Sequence, residues 1–245
     1  MRQFIFSTLS VALLAGQSVW ADDNIDALAG DETVLKQFVP QGFNLDGHYC
    51  DSDFNTDGKK DCWIMIKDTK PSGWEEDEKN PEQMVDRNRR GLIILLKTNT
   101  GYQKILENRA LFASDNEYGG VYYAPELSIE NKKSKLIFRY SHGRYGYWYY
   151  TFDYRTVNGK KDFYLIGYDS SYNRGPYVES TVSINFLTHK IRYQKNQETD
   201  WNSDTPRFKT IWRDFAKQPL IKLSDIDDIE NIDLQNADKA LIGID

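Results

Sequence analysis

The chain has 245 residues, 37 acidic against 31 basic, for a formal charge of −6. That length suits one domain with a real core, and the acidic balance argues against a nucleic-acid surface. The 16 Tyr, 12 Phe and 6 Trp against 3 Met favour half-exposed β strands over a helical bundle.

Residues 1–21 read as a cleavable signal peptide. Arg2 supplies the charge, residues 4–16 a short apolar core, and Val19-Trp20-Ala21 the small-residue cleavage site. The apolar run is too short to span a bilayer, and no cysteine follows it to take a lipid. The expectation is export to the periplasm or the medium, with no membrane-spanning segment. Asp31 then caps a short helical pattern carrying Val34, Leu35, Phe38 and Val39, which Pro40 ends.

The most informative stretch is C-D-S-D-F-N-T-D-G-K-K-D-C, from Cys50 to Cys62. It holds both cysteines of the chain. In an exported protein two such cysteines are expected to form a disulfide. Between them Asp53, Asn55 and Asp57 sit at every second position, Gly58 follows, and Asp61 lies three residues on. Hard cations take six to eight oxygens from carboxylates, amides and main-chain carbonyls. A loop wrapped round Ca²⁺ presents alternate side chains inward, and Gly58 permits the turn. The expected ligands are Asp53, Asn55, Asp57, the carbonyl of Lys59, and Asp61, with the ion in a structural role. The motif starts like an EF-hand, D-x-[DN]-x-[DN]-G, but its twelfth position is Ile64, and Trp63-Ile64-Met65-Ile66 reads as a strand.

These residues resemble the calcium loop of FG-GAP repeats, the blades of integrin-α-type propellers. Just upstream, Phe38-Val39-Pro40-Gln41-Gly42-Phe43 resembles the I-P-x-G-[WY] segment that precedes one such loop in a group of bacterial exported proteins without an assigned activity. The likeness covers residues 35–70 well and the aromatic strands to about 190 loosely. It implies calcium and a β-rich body, and it implies no activity.

Residues 62–70 read as the first strand. Residues 71–90 read as a long polar insertion with an acidic patch over 75–78 and one large apolar residue, Trp74. A loop of that length is either functional or mobile. Arg87-Asn88-Arg89-Arg90 leads into an apolar strand over 91–97, and a strand over 102–106 follows. The loop over 113–126 carries Asp115 and Glu117, which could join the calcium site. From 127 to 195 the pattern is antiparallel β, with strands at 127–130, 136–140, 148–155, 163–168, 177–186 and 190–194. Trp148, Tyr150, Phe152 and Tyr154 alternate with Tyr149, Thr151, Asp153 and Arg155. Asn158-Gly159 signals a type I′ hairpin, although the run through Asp162 copies Asp57-Gly58-Lys59-Lys60-Asp61. Phe208, Ile211, Trp212 and Phe215 fall at helical spacing over 208–217, Pro219 stops that helix, and 220–223 reads as a last strand. Residues 224–245 carry seven acids and one lysine, so this tail holds nearly all the net charge. Ile226, Ile229 and Ile232 recur every third residue, as in a strap laid on the body or a partner-binding tail.

The expected organisation is therefore a signal peptide at 1–21, one β-rich domain at 22–223 and an acidic tail at 224–245. The fold class is mainly β (β-rich α+β), with antiparallel sheets in a sandwich or partial propeller and one or two short helices. His48, His142 and His189 show no metal-ligand or catalytic spacing, and no G-x-S-x-G or H-E-x-x-H occurs. A cell-envelope hydrolase would need two carboxylates brought together from afar. The leading expectation is a non-catalytic protein that binds another protein, as an inhibitor or immunity-type factor does. The alternative is a carbohydrate-binding module whose ligand face is Tyr145, Tyr147 and Tyr149.

Overall fold

A computed structural model describes residues 31–117, 124–200 and 205–244. The leader over 1–21, and Tyr122 and Tyr123 of the loop at 113–126, lie outside the described residues. Among the described residues no helix is long and apolar enough to cross a membrane.

The described residues open with a four-residue helix, α1 (Glu32–Leu35), whose first turn is capped by the Asp31 carboxylate accepting from Thr33 N. Among the described residues thirteen strands follow: β1 (Phe43–Ser52), β2 (Asp61–Asp68), β3 (Trp74–Asp77), β4 (Asn80–Asp86), β5 (Arg90–Thr98), β6 (Gly101–Phe112), β7 (Glu126–Lys132), β8 (Lys135–Ser141), β9 (Gly146–Val157), β10 (Lys160–Arg174), β11 (Tyr177–Asn185), β12 (Lys190–Asn196) and β13 (Phe208–Asp214). A last helix, α2, spans Asn236–Leu241. The protein is mainly β, and all pairings are antiparallel. One sheet has the order β1-β2-β5-β6. A second is a seven-stranded meander from β7 to β13. The hairpin β3-β4 forms a separate two-stranded sheet.

The two large sheets share one apolar core. Met65, Leu92, Ile94, Leu96 and Leu106 supply the inner face of the four-stranded sheet. Phe138, Tyr140, Tyr150, Phe152 and Leu165 supply that of the meander. The outer face of the four-stranded sheet buries Cys62, Ile64, Ile66, Ile93 and Leu95 under Leu35 of α1 and the segment behind it. Residues 92–96 are therefore buried on both faces, which explains an unbroken apolar run where a half-exposed strand would alternate. On β9 the expected alternation holds. Tyr150 and Phe152 are buried, Trp148 and Tyr154 pack beside them, and the intervening residues face outward. Asn158 (φ 50°) and Gly159 (φ 77°) form the tight turn of the β9–β10 hairpin. Both central residues have positive φ, as a type I′ turn requires.

Three expectations fail. Residues 208–214 are the edge strand β13, not a helix. The aromatic spacing there also fits alternation, with Phe208, Thr210 and Trp212 on one face and Ile211 on the other, and pairing to β12 decides between the two readings. Residues 220–223 do not form a strand. One bridge, Lys222 to Tyr164, is all that remains of it. Residues 71–90 are not an open loop, because most of them form the hairpin β3-β4.

The acidic C-terminal segment lies across both large sheets. Leu223, Ile226, Ile229, Leu234 and Ala237 enter the main core. Two single 3₁₀ turns, Leu223–Asp225 and Ile229–Asn231, account for the period of three. Asn108 of β6 donates to Ile226 O at 2.6 Å. Arg213 of β13 donates to the carbonyls of Ala240, Ile242 and Gly243, at the end of α2.

Candidate metal centre and surface sites

The loop between β1 and β2 is closed by the Cys50–Cys62 disulfide. Its carboxylates organise the main chain. The Asp53 oxygens accept from Asp57 N and Gly58 N, both at 3.0 Å. Asn55 Oδ1 accepts from the same Asp57 N at 3.1 Å, and Asp57 Oδ1 accepts from Lys59 N at 2.9 Å. The alternate spacing thus gathers Asp53, Asn55 and Asp57 round one turn. Thr56 (φ 59°) and Gly58 (φ 80°) adopt the left-handed conformation that closes it. That conformation is uncommon for a β-branched residue, and Thr56 holds it while its hydroxyl donates to Asn55 O. The Lys59 amide holds the Asp57 carboxyl below its ordinary pKa, against the opposing effect of burial.

Two residues tie this loop to the body. Phe54 is buried edge-on against Phe163 of β10, with centroids 5.1 Å apart. Asp61 is 0% exposed and points inward. It accepts from Phe54 N at 2.8 Å and from Lys97 N of β5 at 2.9 Å. Burial pushes its pKa up, and the charges of Asp57 and Asp53 add to the shift. The spacing alone did not reveal this clamp, because Phe54 and Lys97 are not oxygen residues.

The donor set suits a hard cation. Each carboxylate has about four lone-pair sites, and the hydrogen bonds described leave some free on Asp53, Asn55 and Asp57. Among the described residues no three Asp, Glu, His or Cys side chains gather closely enough to hold a metal by themselves. An ion here would need the Asn55 amide and main-chain carbonyls as well, which calcium accepts. Beside the loop lies an open depression of about 450 Å³, lined in part by Asn55, Asp57, Lys97, Asn99 and Gln103.

The residues proposed to join from elsewhere lie apart from this loop. Asp115 pairs with Lys67 at 2.7 Å, at the opposite end of β2 from Cys62. Glu117 accepts from Ser114 Oγ at 2.9 Å and pairs with Arg87 at 3.5 Å. The basic run at 87–90 is also engaged internally. Arg89 bonds Ala110 O and pairs with Asp228, and Arg90 bonds Ala113 O. The three histidines stand on separate elements, His48 on β1, His142 before the β8–β9 turn, and His189 in the β11–β12 turn.

On the outward face of β9, Tyr147 and Tyr149 stack with centroids 6.0 Å apart and planes at 17°. Arg139 of β8 lies over Tyr147 at 4.9 Å. Asp169 of β10 is the cross-strand neighbour of Tyr149, whose phenol is raised by burial and then by the Asp169 charge. Tyr145 stands off the strand, in the preceding turn against His142.

The hairpin β3-β4 carries the feature that sequence reading half saw. Trp74 is 50% exposed and Met84, not singled out from the sequence, 52%. No protein-family model, curated protein or solved structure matches the chain.

Proposed function

We propose that this is an exported, calcium-stabilised β protein that acts by binding another protein, as an inhibitor or immunity-type factor does, and not by catalysis. The observation that carries the binding reading is the free-standing hairpin with Trp74 and Met84 in solvent. A crosslinked body with its own core has no folding reason to present two large apolar side chains there, whereas interfaces use such residues as anchors. Export rests on the leader pattern over 1–21 and accords with the Cys50–Cys62 disulfide, since such bonds persist in oxidising compartments. Asp53, Asn55, Asp57 and the Lys59 carbonyl would hold Ca²⁺ from the solvent side, and Asp61 would add its charge from beneath. The ion would neutralise the clustered carboxylates and stiffen the loop. Affinity capture from the native envelope, followed by reconstitution with the purified partner, tests the reading. A stoichiometric complex is expected, and no specific partner would overturn it.

A glycan ligand is the second reading, favoured by the Tyr147–Tyr149 stack beside Arg139 and Asp169. Flat aromatic faces pack on pyranose rings, and the charged neighbours could bond hydroxyls. A glycan array without a hit, or affinity unchanged in Tyr147→Ala/Tyr149→Ala, sinks it. Tyr145→Ala separates the turn from the strand.

A further inference from the structure

We infer that the β3-β4 hairpin is the docking element, and that it fits a protein presenting a Lys- and Arg-lined cleft with an apolar pocket. This deepens the protein-binding reading and rests on it. The apolar face comes first. Trp74 lies opposite Asp86 and Glu76 opposite Met84 in the hairpin register. Trp74, Glu76 and Met84 therefore share one face, with the two apolar residues on a diagonal within reach of each other. A lone two-stranded hairpin has no core of its own to bury them in, and the hairpin pairs with neither large sheet.

Charge then selects the occupant. Residues 74–86 carry six acids and one lysine, whereas residues 22–73 and 87–223 together carry a net charge of +4. Glu75, Glu76 and Glu82 are exposed. A second copy docked hairpin to hairpin would bring two acidic surfaces together, and nucleic acid or an anionic membrane would be repelled. A basic cleft is complementary. Its pocket would take the indole while its rim pairs with the glutamates, a division that gives fast and salt-sensitive association.

The hairpin is also held ready at its base. Asp86 pairs with Lys67 at 3.1 Å and accepts from Asn116 through its main-chain carbonyl. Arg87 N donates to Gly73 O at 2.7 Å. Asn88, 6% exposed, donates to Lys70 O and Asp86 Oδ1. It occupies the space a Cβ on Gly73 would fill, with its Oδ1 2.3 Å from that position. A preordered finger loses little freedom on binding.

The test is selection of a random linear-peptide display library on the immobilised intact protein. Enriched peptides should be rich in Lys and Arg round a large apolar residue. Their affinity should fall about tenfold, the equivalent of 1.4 kcal/mol, in Trp74→Ala/Met84→Ala and again in Glu75→Gln/Glu76→Gln/Glu82→Gln. It should be unchanged in Asp46→Asn/Glu126→Gln/Asp227→Asn, which removes the same charge elsewhere. All the substituted side chains are exposed, and the glutamine variant alone decides if the apolar one melts early. Peptides without a basic bias, peptides kept by the hairpin variants, or no enrichment each overturn the proposal. A native partner still held by the glutamine variant rejects the hairpin and leaves protein binding standing. Capture of no partner at all rejects the parent reading.

Discussion

The Asp61 carboxylate, buried at the start of β2, accepts the main-chain N–H of Lys97 on β5 at 2.9 Å. Its other oxygen holds Phe54 N at 2.8 Å. One side chain thus fixes the Cys50–Cys62 loop to the inner strand β5 of the four-stranded sheet. Removing it leaves two N–H groups without their acceptor and a small void. Asp61→Ala should cost about 3 kcal/mol, lowering the melting midpoint by about 6 to 12 °C in a chain this size. Asp61→Asn keeps one acceptor and should cost less. Urea melts of the two variants check the order, and equal losses would show that the charge, not the acceptor geometry, matters.

Calcium should raise stability through the outer half of the same loop. With the ion at 100 times its Kd the gain is about 2.7 kcal/mol, several degrees in the midpoint. Asp57→Ala should abolish the gain while leaving the EGTA midpoint nearly unchanged, because Asp57 is exposed and bonds only within the loop. Thermal melts in calcium and in EGTA, with and without reductant, separate the ion from the disulfide, which itself contributes about 3 kcal/mol. No response to calcium would reduce the loop to a crosslinked turn.

Acid should loosen the base of the hairpin. Burial opposes ionisation of Asp86 and Asp115, but their hydrogen bonds, including those from Lys67, outweigh it and hold both pKa values down. Lys67 is raised in turn, since the bonds to Asp115 and Asp86 exceed its burial penalty. A carboxylate depressed in the folded state stabilises above its unfolded pKa, near 4, and loses that contribution as pH falls through the lower folded value. Lys67→Met should therefore cost about 1 kcal/mol at pH 7, and the gap to the parent should close towards pH 2. Urea midpoints across that range measure it. A gap independent of pH would mean that the lysine acts through packing alone.

Much of the fold was legible because alternation and turn chemistry agree along the meander. Trp148, Tyr150, Phe152 and Tyr154 mark one face, and Asn158-Gly159 needs the two positive φ angles that the turn has. Legibility failed where periods coincide. Phe208, Ile211 and Trp212 fit a helix as well as an edge strand, and only pairing with β12 separates them. The hairpin at 74–86 reads as a loop because acidic and polar residues outnumber the apolar ones on its strands and it adds no side chain to the core. In the loop, the oxygen spacing identified Asp53, Asn55 and Asp57 as a group. It could not show that Asp61 turns inward, since that depends on Lys97, 36 residues on.

The C-terminal segment is the last place where burial and charge separate cleanly. Its acids mostly face water, while Ile226, Ile229, Leu234 and Ala237 complete the core between the sheets. Ile229 is 0% exposed and Ile242 is 77% exposed. Ile229→Ala should cost about 3 kcal/mol through lost burial and the cavity left behind. Ile242→Ser should stay within about 0.5 kcal/mol of the parent. Truncation after Lys222 should yield no soluble folded protein, because it removes Leu223, Ile226, Ile229, Leu234 and Ala237 from the main core and frees Arg213 from three carbonyls. Urea melts of the two substitutions decide the matter. Equal, small effects would make the segment an appendage that a partner could claim, whereas the expected difference makes it part of the scaffold that holds the hairpin and the calcium loop in place.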